Sequence, residues 1–409
     1  MIVKDYIKQF EKYGFGMFVH FGLYSIYAKG EWAKKHNLDF DGYEDLTKQF
    51  NPEPDWAKRL VDTAKKAGCR YITITTRHHD GFALYDTCGT SDFDAPHSLA
   101  GRDLIAEFVD ECRKADIVPF FYHTIIDWHE KSYDGDMDAY LKFLRDSIEI
   151  LCTRYGKIGG FWFDGMWAKP GFDWEEDKLY GVIRKHQPDA MIINNTGLDA
   201  QGALGHIELD SVTFERGRPR PINMPGAPKY IASEMCQILN QHWGFTARDF
   251  HYNSLTNIIE DLCVCRRYGA NFLLNVGPMG NGLVRPLDDA MLRTLGEWVE
   301  IHKEALYLPR PSGIEVNREG DRDFILDGED CKYYFAHDIA MCGSEHVAPG
   351  AWKGYSTSFK LDKKIKSVAW IDSGEAVEFE QNGDKVVLKF SPQNYGYDLV
   401  VKIAKIICE

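Results

Sequence analysis

The stretch GGFWFDGMW, residues 159–167, sets three aromatic rings, Phe161, Trp162 and Phe163, directly before a carboxylate, Asp164, and a glycine. A run that is apolar on both faces suits a parallel strand covered on both sides. The charge at its end has two readings. One is a core strand closing in a turn, with Asp164 taking a local backbone hydrogen bond. The other is a barrel strand delivering a carboxylate at its C-terminal tip, where such barrels carry their chemistry. Side chains alternate along a strand, so Trp162 and Asp164 share one face and Phe161 and Phe163 the other. On the second reading the first pair points into a pocket and the second packs against helices. Gly165 then lets the chain turn closely.

The flanking sequence favours the barrel. Short apolar runs recur at FGMFVH (15–20), YITITT (71–76), IVPFFYH (117–123), GGFWFD (159–164), AMIINN (190–195), SVTFE (211–215), YIASEM (230–235) and NFLLNV (271–276). Helical patterns lie between them at 55–68, 103–115, 136–156 and 254–269. Eight strands with intervening helices predict a (β/α)8-type barrel over residues 1–308. Helical signal is weak or missing around 196–253. After RPSGI (310–314) alternation takes over, and QNGDK (381–385) reads as a hairpin turn. Residues 309–409 are therefore expected to form a C-terminal all-β sandwich.

Composition narrows the class. The 409 residues are 44% hydrophobic and 27% charged, as in a globular enzyme. A formal net charge of −14 argues against nucleic-acid or anionic-membrane partners. The 10 cysteines include no CxxC pair and read as buried reduced thiols. No apolar leader opens the sequence and no run approaches a membrane span, so a cytoplasmic protein is expected, or a periplasmic or secreted one if a signal has been removed.

Polar groups collect at the ends of the strand candidates. The first ends in His20, with Glu31 and Trp32 soon after; the second in His78, His79 and Asp80; the third in Tyr122 and His123; the fourth in Asp164. The sixth ends in Glu215, the seventh near Glu234 and the eighth at Asn275. On a regular strand only one of His78 and His79 would face inward. The absence of HxH or HExxH spacing argues against a metal site, and neither metal nor cofactor is expected. Carboxylates, histidines and tryptophans on one rim suit a sugar pocket, with rings to stack on the sugar and two carboxylates for the chemistry.

These segments resemble the α-L-fucosidases of glycoside hydrolase family 29. FGMFVHFGLYSIYAKGEW, TTRHHDGFALYDT, YHTIIDWH, FWFDG, HWGF and NFLLNVGPMGNG are similar to that family's motifs, in order, over about 270 residues. The resemblance implies a fucose-binding set of His20, Glu31, Trp32, His78, His79, Tyr122, Trp162 and Trp243. It implies Asp164 as nucleophile of a retaining exo-glycosidase acting on terminal α-L-fucosides of oligosaccharides or glycoconjugates. Glu215 is the preferred acid/base and Glu234 the alternative, with the caution that Arg216 beside Glu215 would depress its pKa if the two paired. The chain departs from the motifs at Phe21, in place of a tryptophan, at His123, in place of a serine, and at Thr196, where many members carry an arginine. His123, Arg216 and Arg218 are candidates for the missing polar contact. Other readings are a related retaining glycosidase with a shifted preference, such as a galactosidase, a non-catalytic fucose-binding protein, and a metal hydrolase. Homo-oligomerisation is left open.

Overall fold

The computed structural model describes residues 3–36, 42–318, 320, 322–342 and 354–409. Eight parallel strands close a barrel in chain order: β1 (Phe15–Val19), β2 (Tyr71–Arg77), β3 (Val118–Thr124), β4 (Gly160–Asp164), β5 (Met191–Asn194), β6 (Ser211–Glu215), β7 (Ala232–Ile238) and β8 (Asn271–Val276), with β8 returning to β1. Each strand falls on one of the eight apolar runs. Helices Trp56–Ala67, Leu104–Ala115, Met137–Arg154 and Glu176–His186 follow β1 to β4. Side-chain caps start two of them: Asp103 accepts from the Ala106 N–H and Asp136 from the Ala139 N–H. Among the described residues, β5 to β6 is spanned by only a short 3-10 turn, Leu198–Ala200, and β6 to β7 by no helix. This is where the helical pattern faded in the sequence.

The barrel interior is filled by Phe18, Tyr71, Phe120, Tyr122, Trp162, Met191, Ile193 and Leu273. The helix Asp5–Tyr13 closes the end opposite the strand C-termini by setting Phe10 against Tyr71 and Phe120, each with ring centroids 5.7 Å apart. The two glycines that lead β4 are required by close approach. A Cβ at Gly159 would lie 2.1 Å from the Phe120 ring, and one at Gly160 2.5 Å from the Met191 carbonyl oxygen. The alternation expected in β4 holds: Trp162 and Asp164 line the pocket, while Phe163 meets Tyr180 of the helix that follows.

The chain divides into two compact units, Met1–Asn253 with Ala270–Thr294, and Ser254–Gly269 with Leu295–Glu409. The second unit contains helix Leu255–Arg267 and strands β9 (Arg310–Pro311), β10 (Val316–Asn317), β11 (Phe324–Asp327), β12 (Cys331–Ala336), β13 (Tyr355–Lys360), β14 (Ile365–Trp370), β15 (Glu378–Asn382), β16 (Lys385–Phe390) and β17 (Lys402–Cys408). They form antiparallel sheets β10-β13-β16-β15 and β14-β17-β12-β11-β9. Both sheets contribute to one core, including Tyr334, Phe359, Trp370, Leu388 and Ile406. The predicted hairpin is the β15–β16 turn, with Asn382 opposite Lys385 and Gly383 at φ +60°. The apolar segment 397–406 is strand only from Lys402 onward.

Candidate active site

At the C-terminal ends of the strands lies a cavity of about 540 Å³. Its wall includes His20, Trp32, His78, His79, Tyr122, Trp162, Asp164, Asn195, Glu215 and Trp243. That volume is in the range of small-molecule sites. Seven of the eight residues of the sugar-binding set thus converge. Glu31 stands behind the wall, buried, with its carboxylate accepting the Gly244 N–H at 2.8 Å. It thereby ties down the loop that carries Trp243. Glu234 also lies outside the wall, deeper in the barrel.

Both histidines of the HHD segment face the cavity. The β2–β3 register shifts between Thr75 and Arg77, and the strand ends at Arg77. Past that irregularity strict alternation lapses, so His78 and His79 turn inward together with centroids 4.2 Å apart. Asp80 turns away and accepts from Tyr43 Oη at 2.7 Å. Among the described residues no group of three His, Cys, Asp or Glu side chains is arranged to hold a metal ion.

Asp164 is surrounded by donors. Tyr122 Oη reaches Oδ2 at 3.0 Å, Trp167 Nε1 reaches Oδ1 at 3.1 Å, and Asn195 Nδ2 reaches Oδ1 at 3.2 Å. His79 Nε2 stands 3.3 Å from Oδ2. Burial alone would raise the carboxyl pKa, but His79 chiefly, with Trp167 and Tyr122, outweighs it and holds Asp164 below its ordinary value. The His79 ring is also held from its far side. Thr124 Oγ1 gives its only proton to the Ile126 carbonyl at 2.6 Å, so at 2.6 Å from His79 Nδ1 it accepts.

Glu215 sits under the opposite electrostatic sign. Burial first, and the charge of Asp164 second, push its pKa up to about 6, against the Asn195 hydrogen bond and the Arg216 charge. Asn195 Nδ2 donates to Glu215 Oε2 at 2.7 Å. The Arg216 guanidinium reaches Gln241 Oε1 at 3.4 Å, and its charge does not overturn the upward shift of Glu215. Glu234 is pushed up to about 7 by burial, against hydrogen bonds from Tyr71 and from Trp162 Nε1, the latter at 3.0 Å. It props the tryptophan of the pocket floor from below.

His20 and His78 are neutral. Burial lowers His20 to about 3, and its Nδ1 lies 2.7 Å from Asn275 Oδ1. Asn275 Nδ2 donates to the Trp243 carbonyl, so Oδ1 accepts from His20 and leaves Nε2 as a lone pair. Burial and its two histidine neighbours hold His78 well below its ordinary value. Tyr122 stacks on Trp162 at 5.7 Å and 20°, and Trp243 lies 5.2 Å from His20, giving aromatic walls beside the histidines.

The departures from the motifs fall unevenly. Phe21 packs against Phe50 and Trp56 and is absent from the wall. His123 is fully buried with Nδ1 2.7 Å from the Thr124 carbonyl, and it too is off the wall. Thr196 does line the cavity, but its hydroxyl is spent on the Ala200 carbonyl at 2.7 Å. In the sequence Asn195 reads only as part of a strand end. Its role depends on contacts to residues 31 positions earlier and 20 later, and no local pattern signals those.

A family model, alpha-L-fucosidase, matches residues 3–304. The tissue alpha-L-fucosidase of Bos taurus is 28% identical over 76% of this chain and 70% of its own length, and that of Homo sapiens is 26% identical over 75% and 70%. Among solved structures, alpha-L-fucosidase isoenzyme 1 from Paenibacillus thiaminolyticus superposes with a TM-score of 0.82 at 27% identity, covering 99% of both chains. The alpha-L-fucosidase of glycoside hydrolase family 29 from Bacteroides thetaiotaomicron shares the fold, with a TM-score of 0.81 at 20% identity. The chain belongs to the α-L-fucosidase family of glycoside hydrolases.

Proposed function

We propose, from that membership, that the protein removes terminal α-L-fucose from fucosylated oligosaccharides or glycoconjugates by double displacement, with Asp164 as nucleophile and Glu215 as acid/base. The observation that carries the reading is the contrast between the two carboxyl groups of one pocket. Asp164 is held ionised by four donors, while Glu215, one amide away, is pushed up to about 6. Paired carboxyls with opposite shifts divide naturally into a nucleophile and an acid.

In the first step Asp164 attacks the anomeric carbon while Glu215 gives its proton to the leaving oxygen. As the carboxylate forms its new bond, its negative charge falls, and the His79 and Tyr122 hydrogen bonds lie on the oxygen beside the one that Asn195 and Trp167 hold. Once deprotonated, Glu215 takes a proton from water, which releases the sugar with net retention. The separation of the two carboxyl groups supports this. Asp164 Oδ1 and Glu215 Oε2 share the Asn195 donor at 3.2 and 2.7 Å, so they lie no further apart than those distances together. Retaining pairs stand about 5–5.5 Å apart, and inverting pairs wider. Glu234 lacks access to the cavity, which favours Glu215. His20, His78 and Tyr122 are placed to hold sugar hydroxyls, and Trp162 and Trp243 to cover the apolar face of the ring.

The test is hydrolysis of an aryl α-L-fucoside followed by NMR from the first turnovers. α-L-Fucose as the first product is expected. The β anomer would overturn the double displacement, and cleavage of aryl galactosides but not fucosides would overturn the sugar assignment.

A further inference from the structure

The cavity mouth carries apolar surface that the two carboxylates do not require. Leu198 is 62% exposed and Trp167 38% exposed, and both line the cavity together with Thr196, Gly197 and Asp199. The Trp167 indole and the backbone of the 195–200 loop are held in place. One face of Trp167 stacks on Trp32 at 5.9 Å and 25°, and its Nε1 is pinned to Asp164. Asn195 Oδ1 accepts the Gly197 N–H at 3.1 Å and the Thr213 hydroxyl at 3.3 Å, while Thr196 closes onto Ala200. Gly197 runs beside the Trp167 edge, where an added Cβ would make ordinary contact at 3.5 Å. The loop is thus anchored through the same amide that bridges Asp164 and Glu215. From its far side, Gln201 Nε2 donates to the Glu215 carbonyl at 2.7 Å.

This inference rests on the proposed function. The leaving group is bonded to the oxygen that Glu215 protonates, so it must stand on the Glu215 side of the cavity, beside this loop. The surface it meets there is an indole, a leucine and a carboxylate. Indole and leucine suit the C–H face of a sugar ring. A carboxylate accepts hydroxyl hydrogens and repels anions, as does a chain of net charge −14. We propose that Trp167, Leu198 and Asp199 form the leaving-sugar site and select a neutral pyranose over an anionic one.

The experiment compares kcat/KM on three substrates: an α-L-fucosyl disaccharide with a neutral pyranose, the same disaccharide sulfated on that pyranose, and α-L-fucosyl fluoride, whose leaving group has no ring. Leu198→Ala is expected to lower the neutral-disaccharide-to-fluoride ratio about ten-fold, with Leu198→Met restoring most of it. The alkaline limb of the pH profile should stay in place, which separates lost ring contact from a displaced acid. Asp199→Asn is expected to raise the sulfated-to-neutral ratio several-fold. A Leu198→Ala ratio unchanged within two-fold, or a shifted alkaline limb accounting for its fall, would overturn the leaving-sugar site. An unchanged Asp199→Asn ratio would overturn the charge selection. Wild-type protein that cleaves the fluoride but no disaccharide would overturn this inference and leave the fucosidase reading standing. Failure on all three would overturn both.

Discussion

Asp164 and Glu215 are joined through one amide: Asn195 Nδ2 donates to both, at 3.2 and 2.7 Å. The amide cannot be flipped, because its oxygen already accepts from Gly197 and Thr213, and reversal would set a carbonyl against two carboxylates. Removing Asn195 therefore perturbs both titrations. In Asn195→Ala, each carboxyl loses a hydrogen bond to its charged form, and each pKa rises. Both limbs of the kcat/KM profile should move to higher pH, with a maximum lowered about 10- to 100-fold. A lowered maximum on unmoved limbs would show that the amide acts only on the loop.

The unaltered protein should give a bell-shaped profile. The nucleophile must be ionised, so activity falls on the acid side as Asp164 protonates, below the ordinary carboxylate range because its pKa is lowered. The acid must be protonated, so activity falls on the alkaline side as Glu215 loses its proton near pH 6. A profile of kcat/KM that climbs from pH 6 to 8 would contradict this assignment.

Asp164→Ala removes the attacking group, and kcat on an aryl α-L-fucoside should fall by at least about 10³-fold. Circular dichroism and fucose binding report whether the fold and the pocket survive. Near-native turnover in a folded variant would exclude Asp164 as nucleophile.

Glu215→Ala and Glu234→Ala separate the two glutamates. Azide needs no general base, so it should restore turnover of an activated aryl fucoside in the Glu215 variant and yield a fucosyl azide. Rescue confined to the Glu234 variant would reverse the assignment.

Glu234 also carries a stability prediction. Its folded pKa, about 7, lies above the ordinary 4.5, so the folded state holds a proton that the unfolded state has released in between. Stability should therefore drop as pH rises from about 4.5 to 7. Glu234→Gln keeps a neutral partner for Trp162 and removes that drop. Relative to wild type it should gain about 1–3 kcal/mol between pH 5 and 8, measured by denaturant unfolding. Parallel curves for the two proteins would refute it.

The eight barrel strands were legible in the sequence because parallel strands covered on both faces leave continuous apolar runs. So was the polar rim, because each run stops at a group that cannot be buried unpaired. Alternation was enough to place Trp162 and Asp164 on one face. It does not reach the His78–His79 pair, because its condition of a regular strand fails there: a shift in β2–β3 register is set by the neighbouring strand and leaves no mark in the strand that carries it. It also could not separate Glu31 and Glu234 from the wall residues. Whether a carboxylate reaches a cavity depends on what claims its oxygens, here the Gly244 N–H in one case and Tyr71 with Trp162 in the other. By itself, then, the sequence determined the barrel, its rim and the family. Tertiary structure alone decided which carboxyl pKa is lowered and which is raised, because that depends on donors and desolvation brought by residues distant in the chain.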